Sequence, residues 1–413
     1  RLEITKNGTK VGNKLSFHID IEKATLSITS LEHNIINNIV AISIIIMIKL
    51  VIFLFIKLFL SCYNFIKRND LMINRLYEKV VEYIKRNYLY ILFYIVIIVS
   101  VMYPLPYYIY TGGGIINVND KIVMESNTTS NGSFNMCYVS EINATIPTYL
   151  LSYILPSWDL VAKSDVAASS KESSSDILLR DKIYLEQANQ NAISTAYSYA
   201  HSSYNVERQH LYVVYVDDSS NTDLKIGDDL LSIDGVDINT LEDISTYILE
   251  KEVGSIVSID VLNQDKKYVR YATVGELENR KIIGIMALSI DDYETNPNIS
   301  FNFSNSESGP SGGLMLSLAI YDRLVDYDLT GGLKISGTGT IDKDGNVGSI
   351  GGVKYKLKGA VDAKSDIFLV PNGENYSECV KLKEKYHYDI NIIGVDTFED
   401  ALNELLRREN SKE

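Results

Sequence analysis

Several residue types are scarce in this chain of 413 residues, which has five histidines, three cysteines and one tryptophan. The cysteines, Cys62, Cys137 and Cys379, show neither metal-ligand spacing nor a disulfide framework. Positive charge is also in short supply, because 39 Lys and Arg face 53 Asp and Glu, for a net charge of −14. Nucleic-acid binding needs a basic face, so this balance argues against a nucleic-acid partner. We therefore expect no metal site, no cofactor and no nucleic acid.

A nucleotide-binding motif is also missing. No segment matches the phosphate-binding loop G-x-x-x-x-G-K-[ST], and the glycine run at 112–114 is interpreted as a turn. The sequence therefore predicts no ATPase module within these residues.

Two apolar runs stand out. Residues 35–60 are strongly apolar but carry Lys49 and Lys57, eight apart and so on one helical face, which fits a helix that spans the membrane or one that lies along its surface. The second run, 87–110, belongs to a charge-free stretch between Arg86 and Asp120 and has tyrosines near both ends, as in an aromatic belt. The sequence predicts a transmembrane helix there.

The segment between the two runs, residues 61–86, sets the predicted orientation. Its basic residues outnumber its acidic ones: Lys67, Arg68, Arg75, Lys79, Lys85 and Arg86 against Asp70, Glu78 and Glu82. By the positive-inside rule this loop is cytoplasmic, and the chain after Pro104 lies on the extracytoplasmic side of a cell membrane, which we expect to be bacterial.

One stretch combines small residues with a serine: Ser308-Gly309-Pro310-Ser311-Gly312-Gly313. It follows an alternating run, 299–304, and precedes an apolar run, 314–320, which predicts a strand, a tight loop and a buried helix. A hydroxyl at the mouth of a helix lies near unpaired N–H groups and the positive end of the dipole, an environment that stabilises an oxyanion. Ser311 is therefore a candidate nucleophile; a turn in which the serine only caps the helix is the alternative.

A second glycine-rich stretch ends at Lys354, 43 residues after the serine (354 − 311). Residues 355–363 are compatible with a helix, so Lys354 would lie in its first turn, where the dipole disfavours a cation, while Lys356 and Lys358 would reach water more freely. A general base needs a neutral amine, and lowering a lysine pKa from about 10.4 to near 7 takes roughly 4 kcal/mol. Partial burial at a helix N-terminus can supply that. Lys354 is the candidate base; a solvated lysine in a lysine-rich turn is the alternative.

Gly309-Pro310-Ser311-Gly312-Gly313 and Ile350-Gly351-Gly352-Val353-Lys354 together resemble the nucleophile and base motifs of the Lon-type serine–lysine proteases, in matching order and spacing. Gly337-Thr338-Gly339 is similar to the family's Thr-Gly segment, whose threonine lies beside the catalytic lysine. The resemblance implies that Thr338 orients the amine of Lys354 by a hydrogen bond. One position departs from the pattern, because many Lon sequences place an Asp where this chain has Ser308, next to Glu307.

Residues 205–276 resemble a PDZ domain of the bacterial protease type. Asp234-Gly235 predicts a hairpin turn, and Thr240-Leu241-Glu242-Asp243 is a capping box that begins a helix. PDZ domains add a peptide as an extra strand. The glycine-containing loop that would hold a terminal carboxylate is expected before Leu211, but Glu207-Arg208-Gln209-His210 occupies that place. A spacer domain without a ligand is the alternative.

The remaining chain completes the predicted protease domain. Residues 282–290, 299–304, 330–341, 367–370 and 391–395 are predicted as its strands, and Thr397 caps a final helix. The predicted fold is an α/β (α+β) Lon-type proteolytic domain plus a mainly β PDZ-like domain, preceded by one or two transmembrane helices. The predicted organisation is a polar N-terminal segment (1–34), a transmembrane helix (35–60), a basic cytoplasmic loop (61–86), a transmembrane helix (87–110), a membrane-proximal α/β segment (111–204), the PDZ-like domain (205–276), the Lon-like protease domain (277–406) and a tail (407–413).

Two rival classes are weighed against this interpretation. Gly309-x-Ser311-x-Gly313 also fits the nucleophile elbow of α/β-hydrolases, with Asp366 and His387 in the right chain order for a triad, but that fold needs several βαβ units before the elbow. The other rival is a non-catalytic membrane scaffold that binds peptides.

The sequence thus predicts an ATP-independent, membrane-anchored serine endopeptidase that acts on unfolded or flexible peptides outside the cytoplasm. Its expected partners are protein or peptide substrates, the membrane and, since Lon relatives form rings, further copies of the chain. The predicted catalytic residues are Ser311, Lys354 and Thr338. The predicted substrate-binding residues lie in the strand and loop before the serine and directly beside it: Ser300, Phe301, Asn302, Phe303, Gly309, Pro310 and Gly312.

Overall fold

The computed structural model describes residues 71–124 and 130–409, together with Lys49 and Lys57. The chain divides into two compact units, Arg1–Tyr103 and Pro104–Glu413. The predicted N-terminal segment and first membrane helix, at 1–34 and 35–60, lie outside the described residues apart from the two lysines.

The described part of the first unit is helix α1, Leu71–Met102. Asn87 interrupts it with non-helical backbone angles, φ −117° and ψ 15°, and its side-chain amide donates a hydrogen bond to the carbonyl of Tyr83. The interruption falls at the predicted junction between the basic segment and the apolar run. Among the described residues, one helical stretch, Arg75–Met102, is long and apolar enough to cross a membrane.

Two predicted boundaries in this region differ from the structure. The segment 61–86 is helical from Leu71 onward, where a loop was expected, and the predicted span at 87–110 ends as a helix at Met102. The helix stops because Pro104 cannot continue it, and the next residues pair as a strand.

The second unit begins with strands and helices that precede an inserted domain. In chain order these are β1 (Pro104–Asn117), a 3₁₀ turn (Val118–Asp120), β2 (Ile122–Val123), β3 (Ser133–Thr145), α2 (Ile146–Ser152), β4 (Asp159–Ala162), α3 (Lys163–Val166) and α4 (Ser174–Tyr199). The inserted domain, residues 203–296, contains β5 (Ser203–Val216), β6 (Asp229–Ile233), β7 (Val236–Asp237), α5 (Leu241–Leu249), β8 (Ile256–Asn263), β9 (Lys266–Thr273), β10 (Gly275–Leu277), β11 (Arg280–Ile282) and β12 (Ile285–Asn296).

After the insertion the chain returns to the main body, defined as residues 104–202 and 297–409. Its later elements are β13 (Ser300–Phe301), α6 (Gly313–Leu324), β14 (Lys334–Gly337), β15 (Thr340–Ile341), β16 (Val347–Gly348), α7 (Val353–Asp362), β17 (Ile367–Pro371), α8 (Glu374–Tyr386), β18 (Asn391–Val395) and α9 (Phe398–Glu409).

The frame of the main body is a six-stranded sheet in the order β18-β17-β14-β3-β1-β4. β14 pairs in parallel with β3 and β17, and β17 with β18, whereas β1 pairs antiparallel with β3 and β4. β3, β4 and the second half of β1 therefore come from the region predicted as a separate membrane-proximal segment, 111–204, while the first half of β1 comes from the predicted span, 87–110. The region 111–204 is part of the main body, because its strands form one sheet with β14, β17 and β18.

Helices cover both faces of the sheet. On one face α6 is buried along its length, with only Arg323 outside the buried set, as its apolar sequence predicts. A Cβ at Gly313 would lie 2.8 Å from the side chain of Ile341, so only glycine allows this close approach at the start of α6. On the other face α7 and α8 pack over Cys137 and Phe368.

The inserted domain is built on a separate sheet, ordered β12-β5-β6-β8-β9, with β7 paired to β6. β12 pairs antiparallel with β5 along its whole length, from Ile285 opposite Val216 to Asn296 opposite Ser203. The sequence analysis assigned 282–290 to the protease domain; that assignment is wrong, because β12 closes the sheet of the inserted domain. The insertion therefore extends beyond the predicted limits of 205–276.

Candidate active site

Ser311 lies in the loop between β13 and α6. Its carbonyl oxygen accepts a hydrogen bond from the backbone N–H of Gly339 (2.8 Å), and the N–H of Leu314 donates to the carbonyl of Gly339 (3.1 Å). Both bonds fasten the serine loop to the chain that leaves the carboxyl end of β14. The side chain of Ser311 is partly exposed at this edge, and a nucleophile that must meet a substrate needs that accessibility.

The alternative role of Ser311 as a helix cap does not describe the structure. The residue that caps α6 is Gly312, and no side chain makes a capping hydrogen bond there. The hydroxyl is therefore not engaged by the first turn of its own helix.

Thr338 is fully buried and supports the backbone of the serine loop. Its hydroxyl donates to the carbonyl oxygen of Ser311 (3.0 Å), and its N–H donates to Leu369 in β17 (3.0 Å). The expected hydrogen bond from this threonine to Lys354 is not among those of the described residues. Thr338 thus positions the serine loop, whereas the family resemblance had implied that it contacts the lysine.

Lys354 lies in the first turn of α7, as predicted. The loop before it is fixed by the side-chain amide of Asn375, which accepts from the N–H of Ile350 and donates to its carbonyl, both at 2.9 Å. The lysine ammonium forms an ion pair with Asp159 and lies 4.8 Å from the ring centroid of Tyr355. Its side chain is 46% exposed, so it is less buried than a strongly activated base would be.

Lys356 is the buried lysine of this helix, contrary to the prediction that it reaches water. It is 4% exposed, and burial lowers its pKa to about 8. The reason is helical spacing, because Val353, Lys356, Leu357 and Ala360 form the stripe that faces the sheet. The neighbouring Lys358 lies on the other side of the helix, half-exposed and paired with Asp362, so the prediction holds for that residue. The apolar residues at 353, 357 and 360 were the signal that could have identified Lys356.

Ser311 and Lys354 reach the same edge of the main sheet. The serine loop is fastened to Gly339, just after β14 ends, and the lysine loop is fastened to Asn375, just after β17 ends. Because β14 and β17 are parallel neighbours, their carboxyl ends lie on one edge. Among the contacts of the described residues, however, the amine is held by Asp159 and no hydrogen bond joins it to Ser311.

The expected substrate strand is shorter than predicted. Only Ser300 and Phe301 are strand residues, and they pair with β2, while the N–H of Asn302 donates to the carbonyl of Lys121 (2.8 Å). Phe301 and Phe303 pack against the main core and are therefore not free to form a substrate pocket. One edge of β13 is occupied by β2, and among the described residues no strand pairs with the other.

Glu307, the carboxylate next to the departing position Ser308, is engaged away from the candidate base. Glu307 forms an ion pair with Lys121 (2.8 Å) and accepts a hydrogen bond from the N–H of Ser304 (2.6 Å). Its carboxylate therefore supports the β13 loop, and the carboxylate that contacts the candidate base comes from Asp159.

The hydrolase triad is not assembled. Asp366 precedes β17 and binds the N–H of Lys334 with its carboxylate, and His387 ends α8 before β18. Both lie near the amino ends of their strands, whereas Ser311 lies beyond the carboxyl end of β14. β17 is five residues long, so the two edges are separated by about 16 Å of strand.

The inserted domain offers a strand edge that the sequence analysis did not find. β12 is the outer strand of its sheet and contacts α5, and it begins directly after Gly284, whose φ is +67°. A Cβ on Gly284 would lie 2.3 Å from the side chain of Ser220, so the turn requires glycine. Residues 207–210, directly before Leu211, contain no glycine, and this glycine turn lies directly before the last strand of the inserted domain. The signal was Ile282-Ile283-Gly284-Ile285, a lone glycine within an apolar run.

These features define a class: a serine-type peptidase body with an inserted domain that presents a peptide-length strand edge. The match to known families is more specific. Residues 304–408 match the Lon protease (S16) C-terminal proteolytic domain, and residues 198–269 match a PDZ domain. The chain therefore carries a Lon-type proteolytic domain, of the serine endopeptidase class, together with a PDZ domain, and the predicted resemblances to both are confirmed.

Individual relatives share only part of their length with this chain. It is 28% identical to the Lon protease of Campylobacter jejuni over 185 residues, which is 43% of this chain and 22% of that protein. It is 33% identical to the Lon protease of Campylobacter concisus over 100 residues, 24% of this chain and 12% of that protein. The PDZ domain of an SdrC-like protein from Listeria monocytogenes is 26% identical and covers 20% of this chain and 93% of its own, with a TM-score of 0.19, too low to carry an argument about the fold.

Proposed function

We propose that this protein is a membrane-anchored serine endopeptidase in which Ser311 is the nucleophile and Lys354 the general base. The observation that supports the proposal is that both loops are fastened just beyond the carboxyl ends of two neighbouring parallel strands, with the carbonyl of Ser311 held by Thr338 and Gly339. A partly exposed hydroxyl beside the first turn of a buried helix is in the right place to attack a peptide carbonyl.

The proposed reaction begins when Lys354 leaves Asp159 and loses a proton to solvent. This step is needed because an ammonium has no lone pair with which to accept the proton of Ser311. The neutral amine takes the proton of the Ser311 hydroxyl as its oxygen bonds to the scissile carbonyl carbon. Backbone N–H groups of Ser311 and Gly312, in the loop that leads into α6, stabilise the resulting oxyanion, because those of Gly313 and Leu314 are bonded to carbonyls. Lys354 then gives its proton to the leaving amine as the C–N bond breaks, and water hydrolyses the acyl-enzyme by the same steps.

The inserted PDZ domain supplies peptide capture in this proposal. A peptide pairs with the outer edge of β12, beside α5, and the turn at Gly284 presents backbone N–H groups to a terminal carboxylate. Flexible or unfolded tails are suited to this mode, because they can add as a strand without first losing a fold.

The proposed membrane anchor is helix α1, and its charge pattern sets the proposed orientation. Helix α1 carries basic residues at its start and no charge from Tyr88 to Met102, which supports a span with the second unit outside the cytoplasm. No phosphate-binding loop occurs in these residues, so cleavage of unfolded substrates is proposed to need no ATP. Additional copies of the chain remain a proposed partner.

The test compares two lysines of one helix. Lys354→Met removes the base while keeping length, so it should abolish cleavage of a fluorogenic peptide as fully as Ser311→Ala, since catalytic partners act as a unit. Lys356→Met is the matched control and should remain active, as should His387→Ala. Assays without nucleotide use the full chain in detergent or vesicles.

Two results would contradict the proposal. If activity survives Lys354→Met but not Lys356→Met, the buried Lys356 is the general base and Lys354 is not. A wild-type chain that binds peptides but never cleaves them would instead identify a scaffold.

A further inference from the structure

Helix α2 and the residues after it, 146–158, form an exposed apolar surface on the main body, here called the α2 surface. Its most exposed side chains are Leu150 (59%), Leu151 (42%), Tyr153 (70%) and Ile154 (72%). Soluble surfaces seldom expose so many large apolar side chains within a few residues, which marks the segment as an interaction site.

The α2 surface is ordered and uncharged. The ring of Tyr149 packs against Tyr107 in a tilted arrangement and against Tyr153 edge to face, with centroids 5.5 and 5.4 Å apart, and the hydroxyls of Tyr149 and Tyr153 lie 2.9 Å from each other. Residues 142–158 contain no Asp, Glu, Lys or Arg. Aliphatic side chains combined with tyrosines and Trp158, whose rings are apolar and whose tips are polar, are the composition of a membrane–water interface.

Within the second unit, this surface lies beside the residue that follows the proposed membrane span in the chain. One residue, Tyr103, separates the end of α1 from Pro104, so the Cα atoms of Met102 and Pro104 are at most about 7 Å apart. Pro104 is opposite Thr145 in the β1–β3 pair, and Thr145 is the residue that caps α2. The α2 surface therefore begins beside the first residue of the second unit.

The length of α1 points the same way. The part of α1 after the interruption at Asn87, residues 88–102, carries no charge, has 15 residues and is about 22 Å long as a helix, whereas the hydrocarbon core is about 30 Å thick, so a full crossing also includes residues before Asn87 or after Met102. A short span draws the flanking residues into the interface or thins the bilayer around them. An apolar surface that begins beside Pro104, the first residue after that span and its linking Tyr103, is therefore suited to the interface.

We propose that the α2 surface lies in the interface of the same membrane that α1 crosses, with its aliphatic side chains in the headgroup region of the lipids. The inference rests on the proposed anchoring. Because the segment has no charge, its attachment is to the apolar and zwitterionic part of the bilayer and needs no anionic lipid. Asp159, the partner of Lys354, directly follows this segment, so a surface fixed on the membrane places the proposed base near the bilayer as well.

The only tryptophan of the chain, Trp158, is a built-in reporter for the test. The full chain is reconstituted in phosphatidylcholine vesicles with bromine at acyl positions 6 and 7, and its fluorescence is compared with that in unbrominated vesicles. Interfacial segments lie about 5–10 Å deep, so bromine should reduce the emission by roughly half. In a Trp158→Phe chain, Ile154→Trp moves the reporter to the most exposed position and should be quenched at least as strongly.

Substitutions supply the control. Leu150→Ser with Ile154→Ser should reduce the quenching of Trp158, whereas Val253→Ser, at a similarly exposed apolar position of the inserted domain, should not. Flotation of the vesicles is measured on the same samples. A chain that fails to float with the vesicles refutes the proposed anchoring and this inference together.

A chain that floats while its reporters are quenched by aqueous iodide and not by bromine refutes this inference alone. Reporters shielded from both quenchers assign the surface to protein instead of lipid. Cross-linking of Ile154→Cys chains would then identify a second copy as the occupant, and a lack of cross-links would leave a peptide substrate as the occupant.

Discussion

Asp159, the first residue of β4, forms an ion pair with Lys354 in the first turn of α7. Both side chains are partly exposed, at 39% and 46%. Ion pairs of this kind contribute about 0–1 kcal/mol, so this one opens at little cost. In the proposed mechanism, the base can therefore be released from this pair at little cost.

Replacing the anion should free the amine from its ion pair. For Asp159→Asn we expect a severalfold rise in kcat and in kcat/KM at pH 7, because a lysine side chain that is no longer held by the carboxylate can reach Ser311 more often. The matched control is Asp362→Asn, which breaks the exposed pair with Lys358 on the same helix and should change neither quantity. A loss of activity in Asp159→Asn would mean that the carboxylate positions the lysine for catalysis.

Thr338→Val should weaken the hold on the serine loop. The substitution keeps the shape but removes a buried hydrogen bond to Ser311, and a net loss of about 1 kcal/mol corresponds to roughly a fivefold decrease in kcat. Thr338→Ser retains the hydroxyl and should recover most of the rate, with KM unchanged in both variants. If serine and valine behave alike, the hydroxyl has no role in positioning.

The buried Lys356 predicts a particular dependence of stability on pH. Burial lowers its pKa from 10.5 to about 8, so between those values the unfolded chain binds more protons and stability rises with pH. Below pH 8 the buried cation costs about 3 kcal/mol relative to the unfolded chain. Lys356→Met should therefore raise the urea midpoint at pH 7 and abolish the rise between pH 8 and 10.5.

Lys358→Met is the control for that measurement, because this lysine is half-exposed on the same helix. It should keep the pH dependence of the wild type. An unchanged slope in Lys356→Met would show that another group causes it.

Peptide capture can be tested at the glycine turn. Gly284→Ala combines a left-handed φ with a clash against Ser220, so it should weaken binding of a labelled peptide with a free C-terminus at least severalfold in fluorescence polarisation. Gly254→Ala carries the same backbone strain at φ +91° with nothing within 4 Å of the added carbon, and it should bind as the wild type does. Equal losses in the two variants would assign the effect to general destabilisation.

The two helices of the candidate site could be predicted from neighbouring residues in the sequence. The apolar run after Ser311 predicted the buried helix α6, and the glycines before Lys354 predicted a helix that begins at that point. Both follow from neighbouring residues alone, so no knowledge of distant contacts was needed.

The remaining features depend on partners far along the chain. Asp159 meets Lys354 only because β4 pairs with β1 at the end of the sheet, and the strand order cannot be read from the alternation of either segment. The burial of Lys356 likewise follows from which face of α7 meets β1 and β3. The prediction that Lys356 reaches water considered only its distance from the helix N-terminus, and the apolar stripe it shares with Val353, Leu357 and Ala360 decides its burial instead.

The pairing of Ser203 with Asn296 has a consequence for how this protein can be modified. Opposite residues of an antiparallel pair lie about 5 Å apart, a gap that a two-residue turn can close. A gene in which Ser202 is joined to Pro297 through such a turn would encode the main body alone. A foreign recognition module could be grafted at the same junction, so the choice of substrate could be redesigned without touching the sheet that carries the chemistry.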